Sequence, residues 1–353
     1  MNELGMPTPA LLHSRDVAQM ELHEQAAKLT RKRFGNHVFV RAVVEISNYC
    51  RENCSYCGMR RSNRQLKRYR ASHEQLAELL LEHCPPSVTD VNIQAGEDPV
   101  AVREVAIPLI RSLKQNTSRG VSVCLGLHDK AVYAEMKEAG ASIYILKFET
   151  ANPAHYAQLE APATFERRIG DIRHLAATGW NVSSGFIAGL PGQTDAELLQ
   201  NFELAKELPL AGISVSPFIP GDETPLSKAP ISDVDLTLNC MAALRIMRPD
   251  WIIPSVSALN LAEPGSGYRR GLRTGANLVT INMTPSEVRG DYLLYKRDRF
   301  IMTEERILTA ITAEGLVPSS RSLAEFYRTG RVNGFDSGEK PTLKRYSVDA
   351  LER

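Results

Sequence analysis

Charge of one sign, long apolar runs and aromatic side chains are all scarce in this sequence, and each scarcity excludes something. The 42 Lys+Arg against 41 Asp+Glu leave a formal charge of +1 at pH 7. The chain therefore lacks the basic excess of a protein that coats nucleic acid or an anionic membrane surface. Aromatic residues make up 7%, with no aromatic-rich appended domain of the kind that stacks single-stranded bases. No apolar stretch reaches the roughly 18–20 residues of a membrane span. The opening MNELGMPTPALLHSRD has no basic segment followed by an apolar one, so the expectation is a cytoplasmic protein without a secretory signal. Cysteine is also sparse. Six in 353 residues do not make a disulfide scaffold, and the cytosol keeps thiols reduced.

What is present is a full hydrophobic complement, 43% of residues, in a regular alternation. Short apolar runs at Val38–Ser47, Thr89–Gln94, Val121–Leu127, Ser142–Phe148, Asn181–Ile187, Gly212–Phe218, Trp251–Val256 and Asn277–Met283 read as parallel strands covered on both faces. Between them, Ser72–His83, Pro99–Leu113, Lys130–Ala139, Phe165–Thr178, Thr194–Leu208 and Val234–Met247 follow the helical period. Ser72 with Gln75 suggests a capping box, Thr194 and Asp233 are candidate N-caps, and Gly140 and Gly179 candidate stops. Eight βα units in series predict an α/β chain folded as a (β/α)8 TIM barrel over 37–290. Helical extensions are expected over 1–36 and 291–353, with a polar tail from Gly334. An open doubly wound sheet would carry GxGxxG after its first strand, and that run is missing.

The cysteines are unevenly placed. Cys50, Cys54 and Cys57 fall within eight residues directly after the first strand, while Cys84, Cys124 and Cys240 are scattered. Cys-x3-Cys-x2-Cys on a tight loop can aim three thiolates at one centre, and soft thiolates select zinc or an iron–sulfur cluster. Structural zinc wants four ligands, and the nearest histidine, His73, lies beyond a basic segment. Three thiols on four irons leave one iron for another ligand, at the barrel face where such folds carry their chemistry.

With Tyr56 before the third cysteine and Gly58 after it, the triplet resembles the signature of the radical S-adenosylmethionine (SAM) superfamily. The resemblance implies that Cys50, Cys54 and Cys57 hold a [4Fe–4S] cluster and act through it. SAM would chelate the open iron and be cleaved to methionine and a 5′-deoxyadenosyl radical. Gly96-Glu97-Asp98-Pro99 resembles the glycine–glutamate motif for the SAM ammonium, although Asp98 equally suits a helix N-cap. Glu149 would meet the ribose or sulfonium side and Arg168 the SAM carboxylate. Gly185–Gly192 resembles the glycine-rich fifth-strand motif, with Ile187 and Gly189 beside the adenine.

Further segments narrow the resemblance to the group of biotin synthase, methylornithine synthase and the hydrogenase maturase HydE. They are Asn48–Arg70, Gln94–Pro99, Glu149–Pro153, Gly189–Thr194, Pro217–Leu226, Gly275–Asn277 and Asn282–Ser286, and they are most similar to HydE. That likeness implies a small sulfur- or iron-containing substrate inside the barrel, in metallocofactor assembly. It also implies a flavodoxin- or ferredoxin-like electron donor and other maturation proteins as partners, with no nucleic acid and no membrane. Candidate substrate contacts are His128, Lys147, Arg273, Thr284 and Tyr292. Each has a plain alternative: His128 as a helix cap, Lys147 facing the helices, Arg273 as a surface charge, Tyr292 packing the rim.

Other readings stay open. Sulfur insertion of the biotin or lipoyl synthase type would need more barrel thiols than Cys124, which reads as a small buried hydrophobe. A methylornithine-synthase-like mutase would want a carboxylate in Ile253–Asn260, where there is none. A non-catalytic metal-binding scaffold would have no use for the Gly96-Glu97 and Gly185–Gly192 segments. The run Arg60, Arg61, Arg64, Lys67, Arg68 and Arg70 reads as a solvated loop or a docking surface for an acidic donor.

Overall fold

The apolar runs do form strands, in order along the chain. The computed structural model describes residues 1, 3, 5–296, 300–333 and 335–336. Its main strands are β1 (His37–Ser47), β2 (Asp90–Ala95), β3 (Gly120–Cys124), β4 (Ile143–Ile145), β5 (Asn181–Ala188), β6 (Gly212–Pro217), β7 (Leu278–Asn282) and β8 (Val317–Pro318). The first seven are parallel in the spatial order β6-β5-β4-β3-β2-β1-β7, and β8 pairs with the start of β1. The strand expected over Trp251–Val256 is not regular, because Pro254 has no N–H to give to a ladder. Its backbone still bridges β6 and β7. Ile213 N donates to Ile252 O (3.0 Å), Asn277 N to Ile253 O (2.9 Å) and Ser255 N to Leu278 O (2.8 Å). These bonds close the eight-position ring of a (β/α)8 barrel.

Side chains alternate across each strand. Val44, Ile46, Val91, Ile93, Val121, Val123, Ile213 and Val215 point outward into the main apolar core beneath the helices. The intervening positions, among them Arg41, Glu45, Asn92, Gln94, Cys124, Ser214 and Ser216, line an interior cavity. Parallel strands read as continuously apolar thus carry a polar inner face.

The helices follow their sequence signals closely. Ser72 accepts from Gln75 N (3.2 Å), although among the described residues the reciprocal half of a capping box is made only by Thr194 and Glu197. Asp233 caps Val234–Met247, and Gly140 and Gly179 adopt positive φ at helix ends. The helix expected over Pro99–Leu113 is interrupted by a π-helical turn, Val102–Ala106, just before Pro108. Proline removes one i→i−4 bond, and the wider turn absorbs the mismatch.

The N-terminal helix Asp16–Phe34 lies against Val234–Met247, with Leu22 and Ala26 packed on Ala242. Residues 300–333 are less purely helical than expected, since they contribute β8; most of the polar tail from Gly334 lies outside the described residues. Within this segment, Leu323–Thr329 seals the base of the barrel. The Phe326 ring packs tilted against Phe34 and Phe39, with centroids 5.3 Å and 5.6 Å away, and the fully buried Asp90 carboxylate accepts Leu323 N at 3.1 and 3.0 Å. Among the described residues no helix is long and apolar enough to cross a membrane.

Burial raises the Asp90 carboxyl to a pKa of about 6, against the opposing pull of the Leu323 N–H. The folded state therefore holds this proton more tightly than the unfolded chain. The stability Asp90 contributes is complete below its ordinary pKa of 3.8 and is lost as pH rises through about 6. Asp90→Asn removes that dependence. Between about pH 4.5 and 7 the wild type should lose about 2 kcal/mol relative to the variant in chemical denaturation.

Candidate active site

β1 delivers the cysteine loop. At its end Ser47 donates to Asp98 Oδ2 (2.7 Å), and the buried Asn48 side chain donates to Lys67 O (2.8 Å) and Asp291 O (2.7 Å). Other βα loops clamp the segment that follows. Ser55 N donates to Leu159 O (2.9 Å), Gly58 N to Leu294 O (3.3 Å) and Gly221 N to Tyr56 O (3.1 Å). The Arg68 guanidinium serves as a hub, donating to Asn48 O (2.5 Å), Met59 O (2.9 Å), Arg60 O (2.7 Å) and Asn63 O (3.2 Å). Half of the basic run is therefore internal scaffolding: Arg68 at this hub, Arg60 paired with Glu160 and Arg70 with Asp98. Arg61, Arg64 and Lys67 remain exposed.

Cys50, Cys54 and Cys57 all face the top of a cavity of 340 Å³. Their sulfurs are not all within 4.8 Å of one another, a spacing that among the described residues only the exposed trio Glu78, Glu82 and His83 attains. Tetrahedral zinc on 2.3 Å bonds would bring them to about 3.8 Å apart. Burial and the neighbouring thiols together push Cys54 well up and Cys57 to about 12, and burial also raises Cys50. Three neighbouring thiols, one buried and two half-buried, ionise together only against a compensating metal charge.

The β2 end packs directly on this loop. A Cβ at Gly96 would collide with the Tyr49 carbonyl oxygen and sit 2.9 Å from Cys50 Cβ, so only glycine fits. Glu97 N donates to Cys50 Sγ (3.3 Å), and its buried carboxylate faces the cavity with Oε1 held by Arg51 at 2.7 and 3.0 Å. After β4, Glu149 has a φ of 62°, a strained value for a non-glycine residue. Its N–H donates to Gly185 O (3.0 Å) and its carbonyl accepts Ile187 N (2.9 Å), holding the carboxylate over the cavity. Arg168, on the first turn of Phe165–Ala177, is 4% exposed, and its Nε and Nη1 have no protein partner. Burial opposes its charge, but Tyr156, Glu149 and Glu97 outweigh burial and hold its pKa above the usual guanidinium value. Orphaned donors aimed into a cavity are what an anionic ligand group would satisfy.

Tyr56, Ile187 and Lys147 also line this cavity. Other expected residues do not. Asp98 is committed to Ser47, Arg70 and Val100 N, its capping role. Gly58 and Gly189 are spacing residues: a Cβ on the first would lie 2.6 Å from Leu293 O, and the second takes a φ of 76° beside Ser232. His128 bonds Leu125 O (2.9 Å) and borders a separate crevice with Arg51, Arg103 and Arg167. Arg273 pairs with Glu314 on the outer surface (2.5 Å). Thr284 donates to Glu45 Oε2 (3.1 Å) and so supports a cavity residue without lining the cavity itself. Tyr292 packs with Met59, Leu66, Tyr69 and Leu293, and its hydroxyl bonds the cavity-lining Gln94, so it backs the cavity wall. Residues missed from sequence are Arg41, Glu45, Asn92, Gln94 and Tyr295, and Cys124 faces the cavity instead of the core. Strand alternation was the signal that could have found most of them.

Comparison with known proteins agrees with this geometry. The radical SAM superfamily profile matches residues 44–205. The hydrogenase maturase subunit HydE of Thermotoga maritima is 38% identical over 276 residues, 78% of each chain. A 3-methylornithine synthase of Methanosarcina acetivorans is 27% identical over 325 residues, 90% of each chain. In structure, methylornithine synthase PylB superposes with a TM-score of 0.78 at 24% identity, covering 90% of this chain and 94% of that one, a likeness of fold. The converging thiols, the orphaned arginine and these relatives lead to one conclusion: the chain belongs to the radical SAM superfamily as a HydE-like enzyme, working with SAM and an iron–sulfur cluster.

Proposed function

We propose that Cys50, Cys54 and Cys57 hold a [4Fe–4S] cluster with one iron left to SAM, and that the enzyme acts on a small sulfur- or metal-bearing substrate in metallocofactor assembly. The observation that carries the cluster assignment is that three thiols of one short loop line a single cavity beside the buried Glu97 and the unpartnered nitrogens of Arg168. The substrate class rests on the likeness to HydE. When bound, the reduced cluster supplies the electron that cleaves SAM to methionine and a 5′-deoxyadenosyl radical.

The chain's own residues bind, orient and enclose. Arg51 engages only Oε1 of Glu97, leaving Oε2 for the SAM ammonium at the edge of the cysteine loop. The orphaned Nε and Nη1 of Arg168 suit the SAM carboxylate in a charge-assisted fork. Glu149 faces the ribose or sulfonium side, and Ile187 offers an apolar wall to the adenine. Below them, Lys147 sits half-buried beside Tyr295, Glu149 and Cys124, which outweigh the penalty of burial and raise its pKa. A cation so held suits an anionic substrate. Exposed Arg61, Arg64 and Lys67, on the outer side of the cysteine loop, suit an acidic flavodoxin- or ferredoxin-like donor. Residues 37–290 make up the catalytic unit in this reading, flanked by 1–36 and 291–353.

Anaerobically prepared protein should be brown, carry about four irons per chain by Mössbauer-quantified analysis, and release 5′-deoxyadenosine on reduction with SAM. Cys54→Ala should lose all three properties, and retained SAM cleavage in that variant would falsify the assignment. Gly96→Ala should displace Tyr49 and Cys50 and lower iron content while the fold persists by circular dichroism. Arg168→Met should weaken SAM binding at least about tenfold, with partial recovery in Arg168→Lys, as equilibrium dialysis would read.

A further inference from the structure

The floor of the cavity holds a thiol that the proposed SAM chemistry does not use. Cys124 closes β3 in register with Gln94, and its side chain is partly accessible from within the barrel. Its electrostatic neighbours of opposite sign are Lys147, after β4, and Arg41, on β1; Glu149 and Arg168 act from farther up the cavity. Both Lys147 and Arg41 line the same space, and Arg41 Nε has no hydrogen-bond partner. Ser216 on β6 is 3% exposed and faces the same cavity, and its hydroxyl is also without a partner. The floor thus combines one soft nucleophile, two half-buried cations and unsatisfied donors, a set arranged for something other than itself.

We propose that Cys124 anchors the substrate, and that the ligand it selects is a small anion carrying a thiol-seeking centre, such as a soft-metal complex. The inference deepens the proposed function and rests on it for the chemistry above the floor. Asn92 and Ser183, which share the cavity wall with Cys124, bring no further thiol, so the site holds one sulfur ligand and not a second cluster. Anchoring needs no oxidant. The thiol gives up its proton, sulfur forms a bond to the soft centre, and one labile group leaves that centre with the proton. No oxidation state changes. Lys147 and Arg41 balance the anion, while burial alone would hold the thiol protonated.

The test is a comparison of two probes of similar size on the anaerobic holoenzyme without SAM. Iodoacetate is an anion with a thiol-seeking carbon, and iodoacetamide is its neutral counterpart. Peptide mass spectrometry follows Cys124, with the half-buried Cys84 of the outer layer as internal reference. The iodoacetate-to-iodoacetamide rate ratio at Cys124 should exceed that at Cys84 about tenfold, and Lys147→Met or Arg41→Met should erase the excess. Equal ratios at the two cysteines, or a Cys124 inert to both reagents, overturn the proposal whether or not the variants fold. Release of 5′-deoxyadenosine by the same wild-type preparation reports separately on the upper site. Selectivity without SAM cleavage overturns the proposed function and keeps an anion-selecting thiol; cleavage without selectivity does the reverse.

Discussion

β1 is hydrogen-bonded along one edge to β2 and along the other to β7, so its C-terminal end cannot swing. Every later feature of the site inherits that rigidity. The loop carrying Cys50, Cys54 and Cys57 leaves a fixed point, is pinned by Asn48 and Arg68, and is closed from the side by Gly96. Three thiols that repel one another when ionised need such a frame, because nothing in their mutual electrostatics would gather them. The basic segment that follows looks from sequence like a solvated surface. About half of it is instead tied down, Arg68 by carbonyl oxygens of the same loop and Arg60 and Arg70 by carboxylates, which makes positive charge here a structural cement as well as an exterior feature.

Charge inside the barrel is nearly balanced by sign and sorted by height. Glu97, Glu149 and Arg168 surround the upper cavity beside the thiols, whereas Lys147 and Arg41 lie toward Cys124. Each cation carries a desolvation cost, which its acidic and phenolic neighbours outweigh for Arg168 and Lys147 and offset only in part for Arg41. The orphaned nitrogens of Arg168 and Arg41 mark where the protein's own compensation stops and a ligand's would begin.

Much of this was legible in the sequence, and the boundary between what was and was not is physical. Strand–helix alternation, the cysteine spacing and the Gly96-Glu97 pair are local patterns, and each sits where its pattern implies. Arg273, Thr284, Tyr292 and His128 were nominated for chemistry near strand ends. Whether such a residue points inward depends on the path of its loop, which no period encodes. Arg41, Glu45, Asn92 and Gln94 sit within strands, where a period of two does encode direction. They were hidden because their apolar neighbours made each run look uniformly buried. Pro254 marked a break in the seventh strand position, but the backbone bonds that still close the ring depend on partners distant in sequence.

A barrel shut at its base has a single mouth. With Leu323–Thr329 seated under β1 to β3 and Asp90 tied to its first N–H, molecules reaching Cys124 and Lys147 must descend past the cysteine loop and Arg168. In the proposed reading, a nucleoside held between Glu97 and Arg168 would be a stopper as well as a reagent. Whatever lies beneath would then enter ahead of it and depart behind its fragments, an order of traffic set by the plugged floor and independent of the affinity of either visitor.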